Sequence, residues 1–275
     1  MTDPSLSWQY VLGTTETEHD RLMRQAARLA PHTEALFREA GLTAGHRVLD
    51  IGSGVGDVAL LAARIVGSQG EIVGIDRDGA ALAIARERAK ASGLQNVRFV
   101  EADVSQFAAD KPFDAIVGRL ILQFVPRPVE FLATLASALR PGGVMIFQES
   151  NWEALLSQVV HLPLRKRCCE LIYEAFKRSG ANMDMGRSFL RDFPEIGFPK
   201  PQLRLEVPLG DDPETRRWVY DLVCTVYQRF AGFGLSDAPL GDLSTLSQRL
   251  EAELTSTNSY AACIGLTGAW SRKPL

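Results

Sequence analysis

The residues best able to do chemistry form one short run, Asp50-Ile-Gly52-Ser53-Gly54-Val-Gly56-Asp57, in which glycines recur at every second position between two acids. Glycine accepts positive φ and lets a ligand approach the backbone closely. A dinucleotide site wants its third glycine one position later, where this chain has Asp57. A carboxylate there is a poor neighbour for a pyrophosphate, and no Gly-Lys-Ser/Thr follows. The loop should therefore face a ligand without phosphates, with Asp57 serving either that ligand or the positive end of a helix dipole.

Further charged residues stand where apolar runs stop: Asp76 and Arg77, Glu101-Ala-Asp103-Val104, and Arg119. The runs that carry them are Arg47–Ile51, Glu71–Asp76, Asn96–Ala102 and Phe113–Gly118, with a fifth at Val144–Gln148 after Pro141-Gly142-Gly143. Each reads as a short strand buried on both faces. Between them Val58, Leu61, Ala62 and Ile65, then Leu82, Ala85 and Ala89, then Leu132, Leu135, Ala136 and Leu139 repeat at helical spacing. Strands alternating with helices predict a parallel sheet covered on both sides. Right-handed crossovers then bring the strand ends, and their acids, to one rim.

Taken together, Asp50-x-Gly52-x-Gly54-x-Gly56, the strand-end Asp76, Glu101-Ala-Asp103-Val104, Phe113–Gly118 and Leu139-Arg-Pro-Gly-Gly143 resemble the ordered motifs of class I S-adenosylmethionine-dependent methyltransferases of the small-molecule type. The resemblance covers roughly residues 47–149. It implies an α/β, Rossmann-like, seven-stranded, mostly parallel sheet with helical cap insertions, and S-adenosylmethionine as cofactor with S-adenosylhomocysteine as product. Asp76 would accept from both ribose hydroxyls, Asp103 from the adenine amino group while the Val104 N–H donates to the ring. Asp50, Gly52, Ser53, Gly54 and Gly56 would surround the methionine end near a helix N-terminus, with Arg77 in the same shell. Arg119 would line the crevice or pair with the methionine carboxylate. Tyr10 and Gln25 resemble positions where an N-terminal helix folds over the cofactor. Each has a plainer alternative: Asp50 bonding the turn, Asp103 capping a helix, Arg119 in an ion pair, Tyr10 and Gln25 on an ordinary helix.

Methyl transfer is an in-line displacement on an activated carbon, so positioning supplies much of the rate and no conspicuous base is required. The catalytic residue is left unassigned. His161 has a suitable unperturbed pKa, but a histidine two residues before Pro163 also fits a helix end. Gln123, after the fourth strand, cannot take a proton. Trp152, His161, Tyr173 and Tyr220 are the candidates for an acceptor pocket, with Trp218 and Tyr227 as further aromatic residues in the same segments. Transfer to an O, N or C atom of a small organic molecule is the expected function; a non-methylating use of the cofactor, such as a cyclisation, is the alternative.

Other classes fit less well. The chain has 275 residues, 46% hydrophobic and 23% charged, with a net charge of −3, which suits a globular protein with a large core and gives no basic footprint for nucleic acid. No Asn/Asp-Pro-Pro-aromatic or Pro-Cys motif of nucleic-acid methylation is present. Four cysteines and four histidines show no metal-ligand spacing, so no metal is expected, and the cysteines fit a reducing cytoplasm. No run approaches the ~18 apolar residues of a membrane span. The expected organisation is a helical lid over 1–40, the cofactor core over 41–150, a helical cap over 151–183, a core helix and strand over 184–210, a second cap over 211–257 and a final strand over 258–275. A lid helix can close a crevice across a dimer, so a homo-oligomer stays open.

Overall fold

Strand β1 (Arg47–Ile51) is buried at every residue, as a strand covered on both faces must be. The computed structural model describes residues 16–104 and 107–275. Around β1 lie β2 (Glu71–Asp76), β3 (Val97–Glu101), β4 (Phe113–Arg119), β5 (Leu139–Asn151), β6 (Gln202–Glu206) and β9 (Gly265–Arg272). The sheet has seven strands in the order β3-β2-β1-β4-β5-β9-β6. The first five in that order are parallel, whereas β9 runs antiparallel to β5 and β6. Strand order reverses between β1 and β4, which opens a crevice at their carboxyl ends. Short β7 (Leu209–Gly210) and β8 (Ala261–Ala262) pair separately.

Side chains alternate across the sheet with a period of two. Val48, Ile72, Val117 and Val144 face α1 (Glu16–Glu39), α2 (Asp57–Val66) and α3 (Gly79–Ala91). Leu49, Val73, Ile116 and Met145 face α4 (Pro128–Ala138) and α7 (Phe189–Glu195). Each such residue, fully buried, stabilises the fold by about 1.5–3 kcal/mol relative to exposure. A third cluster joins α5 (Trp152–Gln158), α6 (Pro163–Arg178), α8 (Pro213–Tyr227) and α9 (Leu246–Thr257) into a cap beside the rim.

Three boundaries differ from the sequence reading. The helical cap expected over 151–183 is broken into two helices, because Pro163 occupies the first turn of α6 and biases the residue before it away from helix. Strand β5 begins at Leu139; the Pro-Gly-Gly stretch is a register shift within it, pairing jumping from Phe113–Leu139 to Ala115–Val144. Helix α9 ends at Thr257, where Asn258 is left-handed. The last strand of the sheet starts at Gly265, and Tyr260 is exposed. Among the described residues, no helix is long and apolar enough to cross a membrane.

Candidate active site

The glycine loop turns β1 into α2 with Gly52, Gly54 and Gly56 all at positive φ. A side chain at Gly54 would project into open space, so its absence leaves room against the backbone. Gly56 serves packing instead: a Cβ there would lie 3.0 Å from Ala85 Cβ and 3.1 Å from Phe99 Cζ. Asp76, ending β2, braces this loop. Its Oδ2 accepts from Gly54 N at 2.8 Å and its Oδ1 from Asp78 N at 2.9 Å. Each carboxylate oxygen can accept a second bond, so the acid remains available to a ligand. Asp78 caps α3 through Ala80 N and Ala81 N, and His19 of α1 stands 3.7 Å from its carboxylate. Arg77 pairs with Asp103, and Arg88 pairs with Asp57 at 2.7 Å.

Asp50 is the anomaly of β1. It is 1% exposed, and among the described residues neither carboxylate oxygen accepts a hydrogen bond of ordinary geometry, the backbone N–H of Ala59 exerting only a weak pull on it. Burial pushes its pKa well above the ordinary value, against the attraction of Arg119. The Ser53 hydroxyl is likewise buried without a partner. Arg119, whose own pKa burial lowers, donates to Thr33 Oγ1 at 3.1 Å; that hydroxyl donates to Gln148 at 2.7 Å. Such orphaned groups cost free energy unless something meets them.

Beyond β4 the chain makes a turn, Leu120–Phe124, in which non-glycine Leu120 has φ 56°. Glu149, fully buried at the end of β5, holds the turn: it accepts from Ile121 N and Leu122 N at 2.9 Å and from Gln123 N at 3.2 Å. Burial raises the Glu149 pKa to about 7 despite those donors. Gln123 is fixed by Ser150 Oγ at 2.6 Å, and its carbonyl accepts from Asn182 N of the cap.

Loop, turn, α1 and cap enclose a cavity of about 660 Å³. Of the residues expected at the cofactor, Gln25, Gly52, Ser53, Gly54, Asp76, Arg77, Asp103, Val104 and Arg119 line it. Asp50 and Gly56 lie behind its wall, and Tyr10 falls outside the described residues. Of the acceptor candidates, Trp152 lines the cavity. Tyr173 packs on Trp152 at 6.3 Å but donates to Asp184, and Tyr220 sits beneath Arg217; neither reaches the wall. His161 is also outside it, on the exposed surface beside Ser259 Oγ at 3.1 Å, because the break before α6 turns it outward. The structure therefore corrects the placement of His161, Tyr173 and Tyr220. Sequence reasoning missed Arg21, Asp78, Phe124 and Phe176, all of which line the cavity. It also missed Glu149, whose one signal was an acid inside an apolar strand.

A family model for a methyltransferase domain matches residues 42–181, just over half of the chain. The ubiquinone/menaquinone biosynthesis C-methyltransferase UbiE of Azotobacter vinelandii is 37% identical over 124 residues, 44% of this chain and 49% of that protein; the chain thus spans about half the length of that relative. Among solved structures, the [4+2]-cyclase SpnF is similar at a TM-score of 0.55 with 20% identity, covering 90% of this chain and 82% of its own. A phosphoethanolamine N-methyltransferase 2 of Haemonchus contortus, bound to phosphomonomethylethanolamine and S-adenosylhomocysteine, is similar at 0.55 with 16% identity, covering 89% and 53%. At these identities the two structures share the fold.

Proposed function

The chain belongs to the methyltransferase domain family, and from that premise we propose that it transfers a methyl group from S-adenosylmethionine to a small organic acceptor. The observation that carries this reading is the unpartnered, buried Asp50 carboxylate beneath a glycine loop that Asp76 braces. A ligand with an ammonium group, a carboxylate and a ribose diol fits that set. Asp50 would attract the ammonium from behind the wall, while Arg119 would meet the carboxylate, Asp76 the diol and Asp103 the adenine amino group, with Gly52, Ser53, Gly54, Arg77 and Val104 around them. Gly56 supports the loop from behind. The cofactor supplies an activated methyl when bound.

The chain's own contribution is placement and exclusion of water. Gly54 leaves space where a side chain would block the crevice, Ile121 packs against Gly52, and α1 roofs the rim with His19, Arg21, Leu22 and Gln25. Trp152 and neighbouring aromatic rings form the far wall, where a small acceptor would sit. Holding donor and acceptor in line there removes much of the entropic barrier. The absence of basic stripes favours a small molecule over nucleic acid, and the free cysteines favour a reducing, cytoplasmic setting. The test is incubation with methyl-deuterated S-adenosylmethionine and a panel of phenols, hydroquinones and amines. Formation of a product carrying the labelled methyl, together with S-adenosylhomocysteine, supports transfer. A transformed acceptor without label, the cofactor remaining intact, refutes it.

A further inference from the structure

We infer that the cap-side lobe of the cavity takes an apolar, ring-bearing acceptor with a hydrogen-bond-accepting oxygen, which the Gln25 amide fixes by its N–H groups. This rests on the methyl-transfer reading, since it names what occupies the acceptor half of the same cavity. Gln25 Oε1 accepts two bonds, from Arg21 Nη1 at 2.9 Å and from Trp218 Nε1 at 3.2 Å. Both partners are obligate donors, so the amide cannot be flipped, and its NH₂ is the end left over. That NH₂ has no acceptor among the described residues, and Gln25 lines the cavity. The indole N–H of fully buried Trp152, set behind the wall, also has no acceptor among the described residues.

The walls around these donors are apolar. Phe124 packs on Phe176 with centroids 6.4 Å apart, and Trp152 on Trp218 at 6.3 Å; Leu222 and Ile264 complete the lobe. Arg21 offers no surplus charge there, because Glu18 holds it through Nε at 2.8 Å and Nη2 at 2.6 Å. A phosphate or carboxylate would thus lose water and gain no counter-ion, whereas a flat apolar body with a carbonyl or hydroxyl oxygen gains both wall and donor.

The experiment is equilibrium dialysis of 1-acetylnaphthalene and of 1-ethylnaphthalene against the full chain saturated with S-adenosylhomocysteine. The wild type should prefer the ketone on the order of fivefold, the worth of one neutral hydrogen bond. Gln25→Met should abolish the preference while S-adenosylhomocysteine affinity stays within about threefold. Gln25→Glu, which presents an acceptor in place of the donor, should reverse it. Equal binding of both probes by the wild type, or binding of neither, overturns the inference while the cofactor reading stands. A Gln25→Met protein that keeps the ketone preference, or that loses S-adenosylhomocysteine binding, overturns it too, the latter by assigning Gln25 to the cofactor. Failure of the wild type to bind S-adenosylhomocysteine at all removes the underlying reading instead.

Discussion

Replacing Asp50 by asparagine should make the ligand-free protein more stable and its cofactor site weaker. The raised Asp50 pKa already includes the pull of Arg119, so it states a net result: the folded environment disfavours the carboxylate relative to the neutral acid. The sign follows from proton linkage. An acid whose folded pKa exceeds its unfolded value makes stability fall as pH rises from the unfolded pKa to the folded one. Above that window the wild type carries the whole penalty, and asparagine, neutral and of the same shape, does not. The asparagine amide is still buried without partners, so the substitution removes only the penalty on the charge, and Asp50→Asn should raise the melting temperature at pH 8 by about a few degrees. The variant has no charge with which to attract an ammonium from behind the wall and should bind S-adenosylhomocysteine on the order of 10-fold more weakly. Calorimetric melts of the free protein and isothermal titration with S-adenosylhomocysteine read the two effects. A destabilised variant that binds as well as wild type would mean that Asp50 is structural and meets no ligand.

Asp76→Ala should weaken S-adenosylhomocysteine binding by about 1–3 kcal/mol, from the lost ribose acceptor and the loosened Gly54 brace; unchanged affinity by titration would remove the ribose role. Gly54→Val should abolish binding, because the new side chain projects into the space of the crevice, and should lower the melting temperature somewhat, because a β-branched residue is strained at this positive φ; normal binding would mean that the ligand lies elsewhere. Glu149, with its pKa raised to about 7, should make wild-type stability fall between about pH 4.5 and 7, by on the order of 3 kcal/mol in total. Glu149→Gln should show a shallower slope across that window in urea melts, and an unaltered slope would show that Glu149 does not titrate there.

The rim was legible in the sequence because its signal is local. Alternating glycines between Asp50 and Asp57, and acids closing successive apolar runs, fix both the strand ends and the chemistry placed on them. The five parallel strands follow from the same runs, which the family match over residues 42–181 includes, whereas the count of seven comes from the family resemblance. The cap was much less legible. Helical spacing marks Trp152, Tyr173, Trp218 and Tyr220 as cap aromatics, but only the packing of α5, α6 and α8 decides which face the cavity. Tyr173 was drawn away by Asp184, and His161 was turned outward by the proline two residues on. Gly56 matches the motif, yet its lack of a side chain accommodates Ala85 and Phe99, a contact between elements that spacing cannot express. Glu149 was invisible as a support because the N–H groups it accepts lie on residues 121–123, far away in sequence.

A crystal structure of the chain grown with S-adenosylhomocysteine would show whether the cofactor lies on this rim. The nucleoside should lie across the ends of β1, β2 and β3, its ribose hydroxyls on Asp76, its adenine amino group on Asp103 and its amino-acid end over Asp50 and Arg119. An empty rim at saturating ligand, or the ligand bound with its ribose away from Asp76, would contradict this placement.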